Sequence, residues 1–126
     1  MSLSTRGVER VRVLVVDHDE DHRDLLRLHF ESAGCDVTVA ASAESAILAW
    51  GGAEPDLAVI ELLLPGMNGW ALRERLGADH PACPVAICSV LDQQDYPPNQ
   101  AALPKPVSRE SVMAVLRHCV PQWNSP

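Results

Sequence analysis

Apolar and polar positions follow two rhythms along the chain. Residues 11–16 (VRVLVV) form a nearly unbroken β-branched run, the pattern of a strand buried on both faces. Acids follow at once. His22, Leu25, Leu26, His29, Phe30 and Ala33 then recur at the spacing of one helix face, and Gly34 is placed to end that helix in a left-handed cap. Residues 37–40 (VTVA) predict a second strand. Ser42 is placed to cap a helix containing Ile47 and Trp50, which Gly51-Gly52 stops. Residues 57–60 predict a third strand. Asn68 or Gly69 opens a helix carrying Leu72 and Leu76, expected to close near Gly77. Residues 85–88 and 101–103 predict the last two strands, and Ser108 caps a final helix with Val112, Val115, Leu116 and Cys119 on one face.

Strands that alternate with helices in short units imply parallel βαβ connections with helices on both faces of the sheet and right-handed crossovers. In such sheets chemistry gathers beyond the carboxyl ends of the strands. The candidate residues are therefore Asp17, His18 and Asp19 after strand 1, Glu61 ending strand 3, Ser89 after strand 4 and Lys105 after strand 5.

These strand ends carry a resemblance. VLVVDHDEDHRDLL has acids after strand 1 and Arg23 six residues beyond Asp17. Glu61 ends strand 3, Pro65 and Gly69 lie four and eight residues beyond it, Ser89 follows strand 4, and Lys105-Pro106 follows strand 5. In this order the sequence resembles a response regulator receiver domain over residues 9–120. The resemblance implies a flavodoxin-like α/β fold: a doubly wound, five-stranded parallel sheet in the order 2-1-3-4-5, with a peptide bond to Pro106 that is often cis. It also implies transfer of a phosphoryl group from a histidine kinase to an aspartate. Mg²⁺ on the acids assists that transfer, and a hydroxyl and a lysine hold the phosphoryl oxygens.

Two parts of that pattern are changed. Glu61 stands at the phosphoacceptor position, and His18 stands where the family has its second, metal-ligating acid. The extra methylene of Glu61 moves its carboxylate outward by roughly 1–1.5 Å, and imidazole is a poor ligand for a hard cation. The expectation is a receiver that is not phosphorylated in the usual way. Ser89 and Lys105 are then the equivalents of the phosphoryl contacts, and Pro65, Gly69, Met67 and Pro106 serve loop geometry. No metal or other cofactor is expected. Asp17 and Glu61 are the residual metal candidates, with Mg²⁺ required only if a working phosphorelay switch is the correct alternative. A ligand- or metal-sensing module on the same fold, with His18, Asp17 and Glu61 as a ligand set, is a second alternative. Glu61 is read either as a structural partner of Lys105 or as a constitutive mimic of a phosphorylated aspartate. Asp17 and Asp19 are read either as helix-capping acids or as residual cation ligands. Lys105 with a charged His18 is expected to balance the acids.

Between Ser89 and Lys105, Pro97-Pro98 denies a helix, so the helix between strands 4 and 5 is expected to be missing or reduced to a turn. Ala102 fills the place where the family often has an aromatic switch residue. The three tryptophans, Trp50, Trp70 and Trp123, are read as packing residues.

Bulk properties narrow the partners. A chain of 126 residues is one domain in size. Residues 1–8 are set aside as disordered or vector-derived, and 121–126 as a tail. A net charge of −7 without a Lys/Arg cluster, and only five aromatic residues, argue against direct contact with nucleic acid. No apolar run reaches the roughly 20 residues of a membrane span. Cys35, Cys83, Cys88 and Cys119 form no CxxC pair and read as small core residues in a reducing cytoplasm. The partner is expected to be a protein: a histidine kinase, an output domain or another signalling protein. The oligomeric state is left open.

Overall fold

The computed structural model describes residues 10–52, 54–98 and 100–123. Its elements in order are β1 (Arg12–Val16), α1 (Glu20–Ser32), β2 (Asp36–Ala40), α2 (Ala43–Trp50), β3 (Leu57–Ile60), α3 (Gly69–Asp79), β4 (Val85–Ile87), a 3-10 turn (Gln93–Asp95), β5 (Ala101–Ala102) and α4 (Arg109–Cys119). The strands form one parallel sheet in the order β2-β1-β3-β4-β5, as the resemblance to receiver domains implies.

Strand alternation sorts the core into two layers. Val13, Val15, Leu57, Val59 and Ala86 face α1 and α4, where they meet Leu26, Phe30, Val112 and Leu116. Leu14, Val16, Ala58, Ile60 and Ile87 face α2 and α3, where they meet Ala46, Trp50, Leu72 and Leu76. Both faces of β1 and β3 are therefore buried, which is why these strands read as continuous apolar runs.

The helix ends follow their local chemistry. The Asp19 carboxylate accepts from the amides of Asp21 and His22 at the start of α1, and Gly34 takes φ +89° just beyond its end. Ser42 caps α2, Asn68 caps α3 and Ser108 caps α4 through a capping box with Ser111.

The apolar stripe of α1 is narrower than its spacing suggests, because Leu25 is 38% exposed at the edge of the buried arc. Helix α3 does not close at Gly77 but runs through it to Asp79. A glycine in the last turn of a helix costs about 1 kcal/mol, too little to break one whose Leu72 and Leu76 are fully buried. Trp70 is exposed and does not pack in the core. The boundary at residue 120 falls short: Trp123 is buried in the α1–α4 layer and its indole N–H donates to Ala33 O at 2.8 Å. Residues 1–8 and 124–126 lie outside the described residues.

The helix expected to be missing between β4 and β5 is replaced by the 3-10 turn and an extended strap. Pro97 is buried, and Leu91 and Tyr96 pack against the α2–α3 layer. Proline supplies no N–H, so this segment covers the sheet with side chains rather than with a helix. No helix among the described residues is long and apolar enough to cross a membrane.

Candidate functional site

The C-terminal ends of β1, β3, β4 and β5 meet at one buried cluster of charge. Asp17 continues β1: its amide donates to Ala40 O at 3.1 Å and its side chain is 1% exposed. Glu61 continues β3: its amide donates to Val16 O at 3.0 Å and the residue is 3% exposed. Lys105 lies beyond β5, and the peptide bond from it to Pro106 is cis.

Lys105 Nζ bridges the two acids, 2.7 Å from Glu61 Oε1 and 3.0 Å from Asp17 Oδ2. The other oxygens are also occupied. Glu61 Oε2 accepts from the Leu63 amide at 2.9 Å, and Asp17 Oδ1 accepts from the Asp19 amide at 3.0 Å. Burial pulls the Lys105 ammonium down, but its hydrogen bonds to Glu61 and Asp17 outweigh that cost and hold its pKa above the usual lysine value. Two carboxylates about 4 Å apart repel by about 4 kcal/mol at an effective dielectric of 20, so a cation between them is what makes the cluster tenable.

The second imidazole-bearing position is not the expected one. His18 is exposed and makes no hydrogen bond among the described residues. His22, one turn into α1, instead donates from Nδ1 to Asp17 Oδ2 at 2.9 Å. Its Nε2 is buried with no hydrogen-bond partner among the described residues. Arg23 Nη1 donates to Asp17 O at 3.0 Å, fixing the turn after β1. Asp19 is the α1 cap, its carboxylate turned to the helix amides. The acids therefore share the Lys105 ammonium, and the imidazole that hydrogen-bonds Asp17 is His22, not His18.

Ser89 is buried, and its hydroxyl accepts from the Leu91 amide at 3.3 Å. Its peptide is gripped by Tyr96, whose hydroxyl donates to Ser89 O at 2.8 Å and accepts from Ser89 N at 3.3 Å. Ser89 O also accepts from Lys105 N at 3.2 Å. Neither His22 nor Tyr96 was singled out as a site residue by strand-end reasoning. The signal for His22 was its place five residues after Asp17 on the apolar arc of α1; for Tyr96 no periodic signal exists.

The loop after Glu61 is fixed by close packing. A Cβ at Gly69 would overlap Glu61 O and lie 2.6 Å from Leu62 Cα, so only glycine fits there. Gly66 takes φ +74°, and the Met67 amide donates to Glu44 Oε2 at 3.4 Å, tying the loop to α2. Pro65 is exposed at the turn of the same loop. Among the described residues no group of three His, Cys, Asp or Glu side chains is arranged to hold a metal ion.

Comparison with known proteins agrees with this architecture. Residues 13–117 match the model of the response regulator receiver domain. An uncharacterised 14.6 kDa protein of Leptolyngbya boryana is 38% identical over 96 residues, covering 72% of this chain and 70% of that protein. The DNA-binding response regulator MtrA of Mycolicibacterium smegmatis is 34% identical over 86 residues, 68% of this chain but only 38% of MtrA. The chain thus spans little more than a third of such full-length regulators. The receiver domain of NtrX from Brucella abortus superposes with a TM-score of 0.80 at 25% identity, covering 86% of this chain and 98% of that domain. The chain belongs to the response regulator receiver family, the signalling modules of two-component systems.

Proposed function

We propose that this receiver domain works as a protein–protein signalling module without a conventional phosphoryl switch. The observation that carries the reading is the occupancy of its carboxylates. Lys105 Nζ spans Glu61 Oε1 and Asp17 Oδ2, His22 shares Asp17 Oδ2 with it, and the Leu63 and Asp19 amides occupy the remaining oxygens.

Glu61 replaces the phosphoacceptor aspartate, and His18 replaces a metal-ligating acid while facing solvent. Mg²⁺ demands near-octahedral oxygen coordination, and the donors here do not suit it: Asp17 and Glu61 are paired with cations and Asp19 caps a helix. An incoming phosphoryl group would add about −1.5 to −2 charges to a pocket whose two carboxylates already share the single Lys105 ammonium. A carboxylate displaced by roughly an ångström costs on the order of 10²-fold in a reaction set by positioning. Glu61 acts as the structural partner of Lys105 rather than as a phosphoaspartate mimic. The partner is a protein (a kinase, an output domain or another signalling component) in a cytoplasmic setting, with no direct contact to nucleic acid.

Incubation with acetyl phosphate and Mg²⁺ followed by intact mass tests this. The expected result is no added phosphate; a phosphate adduct that disappears in Glu61→Ala would overturn the reading. The double variant Glu61→Asp/His18→Asp is expected to recover the reaction, because it restores both altered positions.

A further inference from the structure

A parallel sheet covered on both faces normally carries apolar side chains on both. The face beneath α2 and α3 follows this rule from Leu14 and Val16 to Ile60 and Ile87, but breaks it at one corner. Arg12, Asp36 and Thr38 share that face by strand alternation and are exposed. Helix α2 has only eight residues, and its end leaves this corner of the sheet open as a crevice of about 230 Å³.

The crevice has an apolar wall and a charged rim. Leu14, Ala49, Trp50 and Pro55 supply the wall. Trp50 is rigid: it is 3% exposed and its indole N–H donates to Asp79 Oδ2 at 3.1 Å. Arg12 and Asp36 are direct partners in the β1–β2 register, about 4.8 Å apart across neighbouring strands. They do not pair with each other. Among the described residues the Arg12 guanidinium has no carboxylate partner, while its backbone amide is fixed on Asp56 Oδ2 at 2.8 Å. Among the described residues the Asp36 carboxylate has Arg10 as its one cationic partner, at 3.5 Å, with side chains 62% and 53% exposed, a contact that a better partner displaces at little cost.

A cation and an anion one strand apart, beside an aromatic wall, match a small zwitterion with an apolar tail. We propose that this crevice binds an apolar α-amino acid. Its carboxylate pairs with Arg12, its ammonium group with Asp36, and its side chain lies against Leu14, Trp50 and Pro55, with the Thr38 hydroxyl beside the polar end. The site is independent of the Lys105 cluster and would give a receiver without phosphoryl input a chemical signal to read.

Titration of the intact chain with L-leucine and L-phenylalanine, read by thermal shift and by the ¹H–¹⁵N signal of the Trp50 indole, tests the proposal. The expected result is saturable binding of at least one of the two that moves the Trp50 signal. It should weaken about tenfold or more in Arg12→Gln and for leucinamide, which lacks the carboxylate. It should persist in Glu61→Gln, which separates this site from the Lys105 cluster. Arg12 is exposed, so Arg12→Gln is expected to keep the fold, and its unliganded melting curve and spectrum verify that. No saturable binding of either amino acid up to about 10 mM, or binding that Arg12→Gln leaves unchanged, overturns the proposal.

Discussion

Lys105 carries more of the site than any other side chain. Removing it in Lys105→Met leaves two buried carboxylates facing one another. Breaking a buried pair by deleting one partner costs about 3–5 kcal/mol, and Asp17 keeps its hydrogen bonds from His22 and the Asp19 amide, so a loss of about 3 kcal/mol is expected in urea unfolding at pH 7. The folded pKa of Lys105 is raised. Its contribution is therefore complete below the unfolded lysine pKa of about 10.4 and disappears as pH rises through the higher folded value. The stability gap between the native chain and Lys105→Met should stay level through neutral pH and close only above about pH 10.4; a gap that closes already between pH 7 and 9 would contradict the bridging geometry. Glu61 and Ser89 were legible because each follows a strand whose limits come from its apolar run, and Lys105 because of the Lys-Pro pair after the last strand. The imidazole beside Asp17 comes from His22 rather than from the expected His18. His18 directly follows Asp17, but side chains of adjacent residues at a strand end point apart. Only the angle at which α1 leaves the sheet brings His22 back to the carboxylate, and that angle is a tertiary quantity.

At the scale of elements, the strap between β4 and β5 departs most from the rest of the fold. The absence of a helix was readable from Pro97-Pro98, but what holds the strap was not, because extended segments have no period for a pattern to follow. Tyr96 does so by satisfying both polar groups of the Ser89 peptide. Tyr96→Phe keeps the ring against the α2–α3 layer but removes both hydrogen bonds. Each is worth about 1 kcal/mol net, so local opening of residues 90–98 should become about five- to thirtyfold more frequent. Hydrogen exchange measures this. Amides of the strap and of Lys105, which donates to the same Ser89 carbonyl, should exchange faster, while those of β1 and β3 should not change. Uniform acceleration across the sheet would mean that Tyr96 supports the global fold and not the strap.

At the scale of the whole molecule, the two layers follow from alternation and crossover rules, while the sheet order was legible only through the resemblance to receiver domains. The domain boundary was not, because residues 121–126 (PQWNSP) are proline-flanked and polar and carry no periodic signal. The signal was a single tryptophan, whose burial is decided by the end of α1 nearly the whole chain away. Trp123 joins the core beside Ala33 and Val120 and gives its indole N–H to the Ala33 carbonyl at the end of α1, where helix carbonyls lack intrahelical partners. Trp123→Ala removes the buried ring and leaves that carbonyl without its donor. Aromatic-to-alanine changes in cores cost about 3–5 kcal/mol, which for a domain of this size lowers Tm by about 10 °C or more. Trp70→Ala is the internal control: Trp70 is exposed, so its removal should cost no more than about 0.5 kcal/mol. If the two variants melt together, the core ends at α4 and the last described residues add nothing to it. If they separate as expected, the chain needs its final segment to close the layer over α1, and any truncation at residue 120 produces a weaker receiver for a reason unrelated to the Lys105 cluster.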